Sequence, residues 1–268
     1  MPENRDRYSH GHHESVLRSH TWRSAENSAG FLLPHLRPGQ ELLDVGCGPG
    51  TITVDLARRV APGRVIGVDL SSEVIEVARS SNAPLAPTVS FEVADVYGLP
   101  FADGSFDVVY MHQVLQHLSN PIGACAEIRR VLRVGGIAAM RESDYAAFAW
   151  APEDPRLDRW MALYHDITRA NDAQADAGRY LPAWVRAAGF SDVTVTSSTW
   201  TYQSPEECQW WGQLWADRVQ HSNFAVHGLE YGLTTEAELA DIADAFTQWA
   251  SDENALFIVP SVEVIARR

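Results

Sequence analysis

The chain has 268 residues, 46% of them apolar and 21% charged, the make-up of a soluble globular protein that buries a substantial core. Thirty-five acids against 21 basic residues give a net charge of −14, a field that repels phosphate backbones and argues against nucleic acid as a substrate. All 21 basic residues are arginine, which excludes pyridoxal Schiff bases, P-loop phosphate binding and the Tyr-x-x-x-Lys pair of short-chain dehydrogenases.

Met1 to His20 is polar and histidine-rich, with no hydrophobic stretch of a secretory leader. Ser9 to Glu14 has the density of a metal motif, yet His13, Val16, Leu17 and His20 form one helical stripe, so a packed face is expected and no metal. Ala25, Ser28, Ala29, Leu32, Leu33 and Leu36 predict an amphipathic helix whose end Pro34 disturbs.

Leu42 to Val45 reads as a buried strand, and Gly46, Gly48 and Gly50 follow within five residues as a tight turn. Ile52, Leu56 and Val60 then share one face of a helix. Glycines without Cβ let a ligand approach the main chain, at the carboxyl end of a first parallel strand. The second strand, Arg64 to Leu70, places Asp69 19 residues beyond Gly50. An acid there accepts hydrogen bonds from both hydroxyls of a ribose; its alternative role is to cap the helix starting near Ser72. The glycines are spaced G-x-G-x-G and not G-x-G-x-x-G, which disfavours a nucleotide-dependent oxidoreductase.

With L-D-V-G-C-G-P-G at residues 42–49 and Asp69 on the next strand, the chain resembles the class I S-adenosylmethionine-dependent methyltransferases. It is similar above all to the small-molecule branch that includes the ubiquinone and menaquinone methyltransferases, over roughly residues 40–140. The resemblance implies a doubly wound α/β fold, Rossmann-like, with a mainly parallel seven-stranded sheet whose last strand is antiparallel. It implies that Asp44, Gly46, Cys47, Gly48, Asp69 and Leu70 hold S-adenosylmethionine. It also implies that N-terminal helices cover the cofactor, making Tyr8, Trp22 and Arg23 candidates to meet cofactor or substrate; the alternative is a helix docked on the sheet edge.

Thr88 to Val93 is the third strand, and by the resemblance Asp95 accepts from the adenine amino group while the Val96 N–H serves a ring nitrogen. Phe106 to Met111 is the fourth strand, ending at His112 and Gln113, where the resemblance implies a side chain facing the sulfonium. No [N/D]-P-P-[Y/F] element stands there, which again argues against nucleic-acid methylation. His112 and His117 are catalytic candidates, with a structural role the alternative for each. The fifth strand, Ile137 to Met140, follows a helix closed at Arg133 to Gly136 and delivers Arg141, Glu142, Ser143, Asp144 and Tyr145 to the pocket rim. Glu142 is placed to take a proton there, and Tyr145 to touch substrate.

Beyond Phe148 the expectations are a helix over Asp154 to Asn171, a short helix over Leu181 to Gly189, and a sixth strand over Val193 to Thr199. Capping boxes at Ser204 to Glu207 and Thr235 to Glu238 open two inserted helices, and Ala255 to Ala266 is the last strand. Trp211 and Trp215 share a face of the first inserted helix, set either to wall an apolar or aromatic substrate or to pack the core. The whole reads as one domain: an N-terminal helical cap (1–36), a cofactor-binding core (37–145), and a substrate-side elaboration (146–268) with its insertion at about 202–252. Cys47, Cys125 and Cys208 are too scattered for a disulfide framework or zinc site, and no run of ~18 apolar residues spans a membrane, so a cytoplasmic protein is expected. The expected function is methyl transfer to a small organic acceptor; the rival is a non-catalytic protein that binds the same cofactor.

Overall fold

The computed structural model describes residues 6–9, 22–82 and 88–268. The histidine stripe over residues 10–20 and most of the loop after Asn82 lie outside them. Short apolar runs become five parallel strands: β1 (Leu42–Val45), β2 (Val65–Asp69), β3 (Val89–Val93), β4 (Phe106–His112) and β5 (Leu132–Ser143). Their order is β3-β2-β1-β4-β5, so the chain reverses direction across the sheet between β1 and β4. A crevice opens at such a reversal, outside the carboxyl ends of the strands.

The 12-residue β8 (Leu256–Arg267) runs antiparallel beside β5. It outlasts β5, and the rest of that edge takes β6 (Ala149–Ala151), an eighth strand beyond the seven expected. Its other edge pairs along nearly its whole length with β7 (Ser191–Tyr202). Helix α2 (Thr51–Val60) follows the apolar face read from the sequence, and α3 (Ser72–Asn82) starts at its expected cap. Helix α4 (Pro121–Val131) ends early because Arg133 to Gly136, expected to close it, already belong to β5, and α6 (Ala177–Ala187) starts before the expected Leu181. The amphipathic stretch from Ala25 departs from expectation. Only α1 (Ala25–Ser28) is α-helical, and a 3-10 turn at Leu33–His35 carries Pro34. Ala25, Ala29 and Leu32 are nonetheless fully buried, so the stripe packs although the helix breaks.

The insertion supplies α7 (Pro205–His221), α8 (Asn223–Glu230) and α9 (Glu236–Ala250), which cover β6–β8 together with α5 (Pro155–Ala170). Ser204 and Glu207 form the reciprocal capping box at the start of α7. At α9 only half of the expected box exists. Thr235 accepts from the Glu238 N–H, but the Glu238 carboxylate turns to Arg159 at 2.8 Å and Thr234 at 2.7 Å. A Cβ on Gly212 would stand 2.5 Å from that of Ala250, so α7 and α9 approach closely only with glycine there. Between them Trp160 meets Trp215 edge-on at 4.5 Å, a pair worth about 1 kcal/mol beyond its buried area. Among the described residues no helix is long and apolar enough to cross a membrane.

Candidate functional site

One cavity of ≈ 390 Å³ opens at the β1/β4 crevice and runs on beneath α7. It is lined by every cofactor, substrate-side and catalytic candidate named from the sequence except Glu142; of the other residues expected at the rim, Ser143 lines it and Arg141 and Asp144 do not. Gly46, Gly48 and Gly50 hold φ of +72°, +55° and +84°, conformations that L side chains rarely adopt. At Gly46 a Cβ would also come within 2.3 Å of the Val114 side chain, so glycine is required there twice over. The Gly46 and Cys47 N–H groups donate to the Val68 carbonyl, stitching the turn to the end of β2. Asp69 then does two jobs. Its Oδ2 accepts from the Gly48 N–H at 3.1 Å, and its Oδ1 caps the following turn through the Ser71 N–H at 3.0 Å.

Asp44 lies beneath the turn, buried, accepting from the Thr53 hydroxyl at 2.6 Å. Burial pushes its carboxyl up to about 7, with the nearby Asp69 charge acting the same way and the Thr53 bond opposing. Cys47 is also buried, its sulfur packed where a side chain at Gly67 would be. On the next loop Asp95 Oδ1 accepts from the Tyr97 N–H at 3.0 Å, while Val96 is buried and Leu70 half exposed on the cavity wall.

The other half of the cavity is aromatic. Tyr202 stacks on Trp211 at 4.4 Å, and Trp22 stands edge-on to Trp200 at 5.3 Å. Trp210 and Trp215 complete this wall, with Tyr145 stacked on Phe148 at 4.4 Å opposite. Tyr8 turns its ring edge to His117 at 4.6 Å, and burial pushes its phenol up to about 12. Residues 6–9 are docked: Arg7 pairs with Glu230 at 3.0 Å, Ser9 accepts from Asn171, and the Tyr8 carbonyl accepts from Asn223. Arg23 is partly buried and donates to Gln113 Oε1 at 2.5 Å; Gln113 holds φ +54° and donates in turn to Ser143.

The acid–base candidates are constrained by their neighbours. His112 accepts at Nε2 from Arg141 Nη1 at 3.0 Å; arginine only donates, so the imidazole is neutral with its proton on Nδ1. His117 accepts from the Gln116 amide at 2.9 Å, and burial, aided by the Arg23 charge, pulls its pKa down to about 3. Glu142 is buried away from the cavity, accepting from the N–H groups of Val114, Leu115 and Gln116 at 2.9, 2.8 and 3.4 Å. It shapes the turn after β4 instead of meeting a ligand. Asp144, on the same rim, is paired with Arg179 at 2.5 Å.

Among the lining residues not singled out from the sequence are Trp200, Tyr202, Arg218 and Gln116. Trp200 and Tyr202 are two apart on β7 and so share a face, while Trp211, Trp215 and Arg218 form an i, i+4, i+7 stripe on α7. Both spacings are visible in the sequence once the elements are fixed.

The buried carboxyls give the fold a pH dependence of definite sign. Burial raises Glu142 from 4.5 to about 7, against the pull of its three N–H bonds and Arg141. An acid whose folded pKa is raised holds its proton longer in the folded chain. Its stabilisation is therefore complete below 4.5 and lost as pH climbs through about 7. Urea unfolding between these limits should show stability falling with pH by about 3 kcal/mol on account of Glu142. Glu142→Gln should flatten that slope whatever its absolute stability; an unchanged slope removes Glu142 as the source.

Residues 43–140 match the family model described as a methyltransferase domain. Over 97% of this chain and 96% of the other, the sequence is 29% identical to an uncharacterised methyltransferase of Schizosaccharomyces pombe. It is 32% identical to the ubiquinone/menaquinone biosynthesis C-methyltransferase of Geotalea uraniireducens, across 54% of this chain and 62% of that one. Among solved structures it resembles the YcgJ protein of Bacillus subtilis, with a TM-score of 0.58 at 20% identity, covering 91% of this chain and 98% of that one. That last likeness is one of fold.

Proposed function

We propose that the chain is a class I S-adenosylmethionine-dependent methyltransferase acting on a small molecule, with the cofactor along the β1/β4 crevice and the acceptor in the aromatic half of the same cavity. The observation that carries this reading is the Gly48–Asp69 contact, a bare glycine turn tied to a carboxylate at the mouth of the crevice. The fit is chemical as well as steric. Positive-φ glycines leave room against the main chain, Asp69 offers oxygens to ribose hydroxyls, and Asp95 and the Val96 N–H stand where an adenine edge would be read. Asp44, Cys47, Leu70, His112 and Gln113 complete the proposed cofactor wall.

When bound, S-adenosylmethionine supplies a methyl group already activated on a sulfonium. The protein's tasks are then alignment and exclusion of water. Trp22, Trp200, Tyr202, Trp211 and Trp215 supply aromatic walls suited to a flat or aromatic acceptor. His112, with its proton on Nδ1, serves as a hydrogen-bond donor, and Tyr8, Arg23 and Tyr145 close the wall from the N-terminal segment and the end of β5. One sheet carries both halves, which supports a single domain with a cap (1–36), a cofactor core (37–145) and an acceptor-side elaboration (146–268). The net charge of −14 argues against nucleic acid as acceptor. Three scattered, buried thiols favour a reducing compartment, the cytoplasm, as its setting.

Thermal shift tests the cofactor: S-adenosylhomocysteine should raise the melting temperature, and NADP should not. A shift with NADP alone refutes the reading. Methyl-labelled cofactor with a metabolite extract should then yield a labelled small product.

A further inference from the structure

The acceptor half of the cavity is rich in donors and cations. Arg23 is partly buried, with its Nε shielded from solvent, and lines it; among the described residues no carboxylate stands within ion-pair distance, and its Nε has no partner. The groups that face it are the phenols of Tyr8, Tyr202, Tyr110 and Tyr145, and the Trp200 ring lies 5.7 Å away. Arg218, buried over the Trp215 indole at 4.7 Å, lines the same space. Two further buried donors on this wall, the Tyr202 hydroxyl and the Trp211 indole N–H, have no partner among the described residues. The Gln116 amide oxygen is a buried acceptor with no partner among the described residues. The lining carboxylates Asp44, Asp69 and Asp95 belong to the glycine-turn half, and Asp6 accepts from the Ser119 N–H.

The same walls offer no base suited to neutral pH among the described residues. His112 has Nε2 committed to Arg141, His117 is held far below its ordinary pKa by burial, and Glu142 faces three amides outside the cavity. A buried cation, unpartnered donors and aromatic walls together suit a ligand that brings its own negative charge.

Resting on the cofactor reading above, we propose that the acceptor is an aromatic or polycyclic acid bound as its anion, an ionised phenol, enol or carboxylic acid whose oxygen is held by Arg23 and the Tyr202 and Trp211 donors. Ionisation before transfer replaces a protein base. A lone pair of the acceptor oxygen forms the new bond to the methyl carbon, the methyl–sulfur bond breaks, and its electron pair stays on sulfur. One negative and one positive charge cancel, and no proton changes hands.

The test is calorimetry on the full chain saturated with S-adenosylhomocysteine, using 2-naphthoate and its neutral counterpart 2-naphthamide as probes. The wild-type protein should bind the naphthoate about tenfold more tightly or better. Arg23→Met should abolish that preference while changing S-adenosylhomocysteine affinity by less than about threefold, and Tyr202→Phe should reduce it in part. Retained S-adenosylhomocysteine binding certifies the fold of each variant, and Tyr202→Phe still decides the matter should Arg23→Met not fold. No preference for the anion in the wild type overturns the proposal. So does a loss of S-adenosylhomocysteine affinity in Arg23→Met with the naphthoate preference intact, since Arg23 would then serve the cofactor's carboxylate. Failure of the wild type to bind S-adenosylhomocysteine is a different result: it refutes the cofactor reading, and this proposal with it.

Discussion

Replacing Asp69 by alanine should lower the affinity for S-adenosylhomocysteine about a hundredfold, roughly 3 kcal/mol. Two contributions add. The carboxylate is the proposed acceptor for the ribose hydroxyls, and charge-assisted bonds of that kind are worth about 1.5–3 kcal/mol each. It also fixes the turn, through the Gly48 N–H at 3.1 Å and the Ser71 N–H at 3.0 Å. The loss therefore includes some disordering of the glycine loop. Asp69→Asn separates the two: it keeps the size and one acceptor oxygen, but sets an amide N–H against a backbone or ribose donor. Calorimetry should rank wild type above Asn and Asn above Ala. Unchanged affinity in Asp69→Ala would take Asp69 out of the site.

The contrast between Asp69 and Glu142 shows what a sequence reveals of such a site. Asp69 is legible because its role follows from local order: an apolar strand, then a carboxylate, one βαβ unit after a glycine turn. Glu142 has the same credentials, an acid at the carboxyl end of a strand. Its oxygens nevertheless turn toward the amides of Val114, Leu115 and Gln116, from a turn 26 to 28 residues upstream. Direction of that kind is a tertiary property. Strand β6 escaped for another reason: Ala149–Ala151 is too short to show periodicity, and exists because β8 extends past the end of β5. The apolar stripe at Ala25, Ala29 and Leu32 was readable as burial but not as a continuous helix, since burial needs only the spacing. At the N-terminus the resemblance left a cover or a docked edge open. Residues 6–9 are docked through Arg7, Tyr8 and Ser9, and Tyr8 also borders the cavity.

Arg141 was read from the sequence only as part of the pocket rim, and its replacement should produce a large loss of stability. Its guanidinium is wholly buried, with Nε 3.4 Å from Glu263 on β8 and 3.3 Å from the Ser198 hydroxyl on β7, and Nη1 donating to His112. Arg141 and Glu263 are register partners across β5 and β8, and Thr196, opposite Glu263 on β7, donates to the same carboxylate at 3.0 Å. The Trp200 ring lies 4.3 Å from the guanidinium, so this network stands directly behind the acceptor wall. Arg141→Met keeps most of the volume but leaves Glu263 buried beside two hydroxyl donors and no cation. Removing one partner of a buried pair costs about 3–5 kcal/mol; the surviving Thr196 and Ser198 bonds favour the lower figure. Adding Glu263→Gln removes the stranded charge and should recover more than half of the loss, because the penalty lies in the unpaired carboxylate and not in the missing attraction. The pair also carries a functional readout. Without Arg141 the His112 Nε2 loses the donor that fixes its tautomer, so turnover should fall along with stability. Urea unfolding of the two single variants and the double measures the coupling directly. Strict additivity would mean that Arg141 and Glu263 are neighbours without being partners, and would detach His112 from the network proposed to hold it neutral.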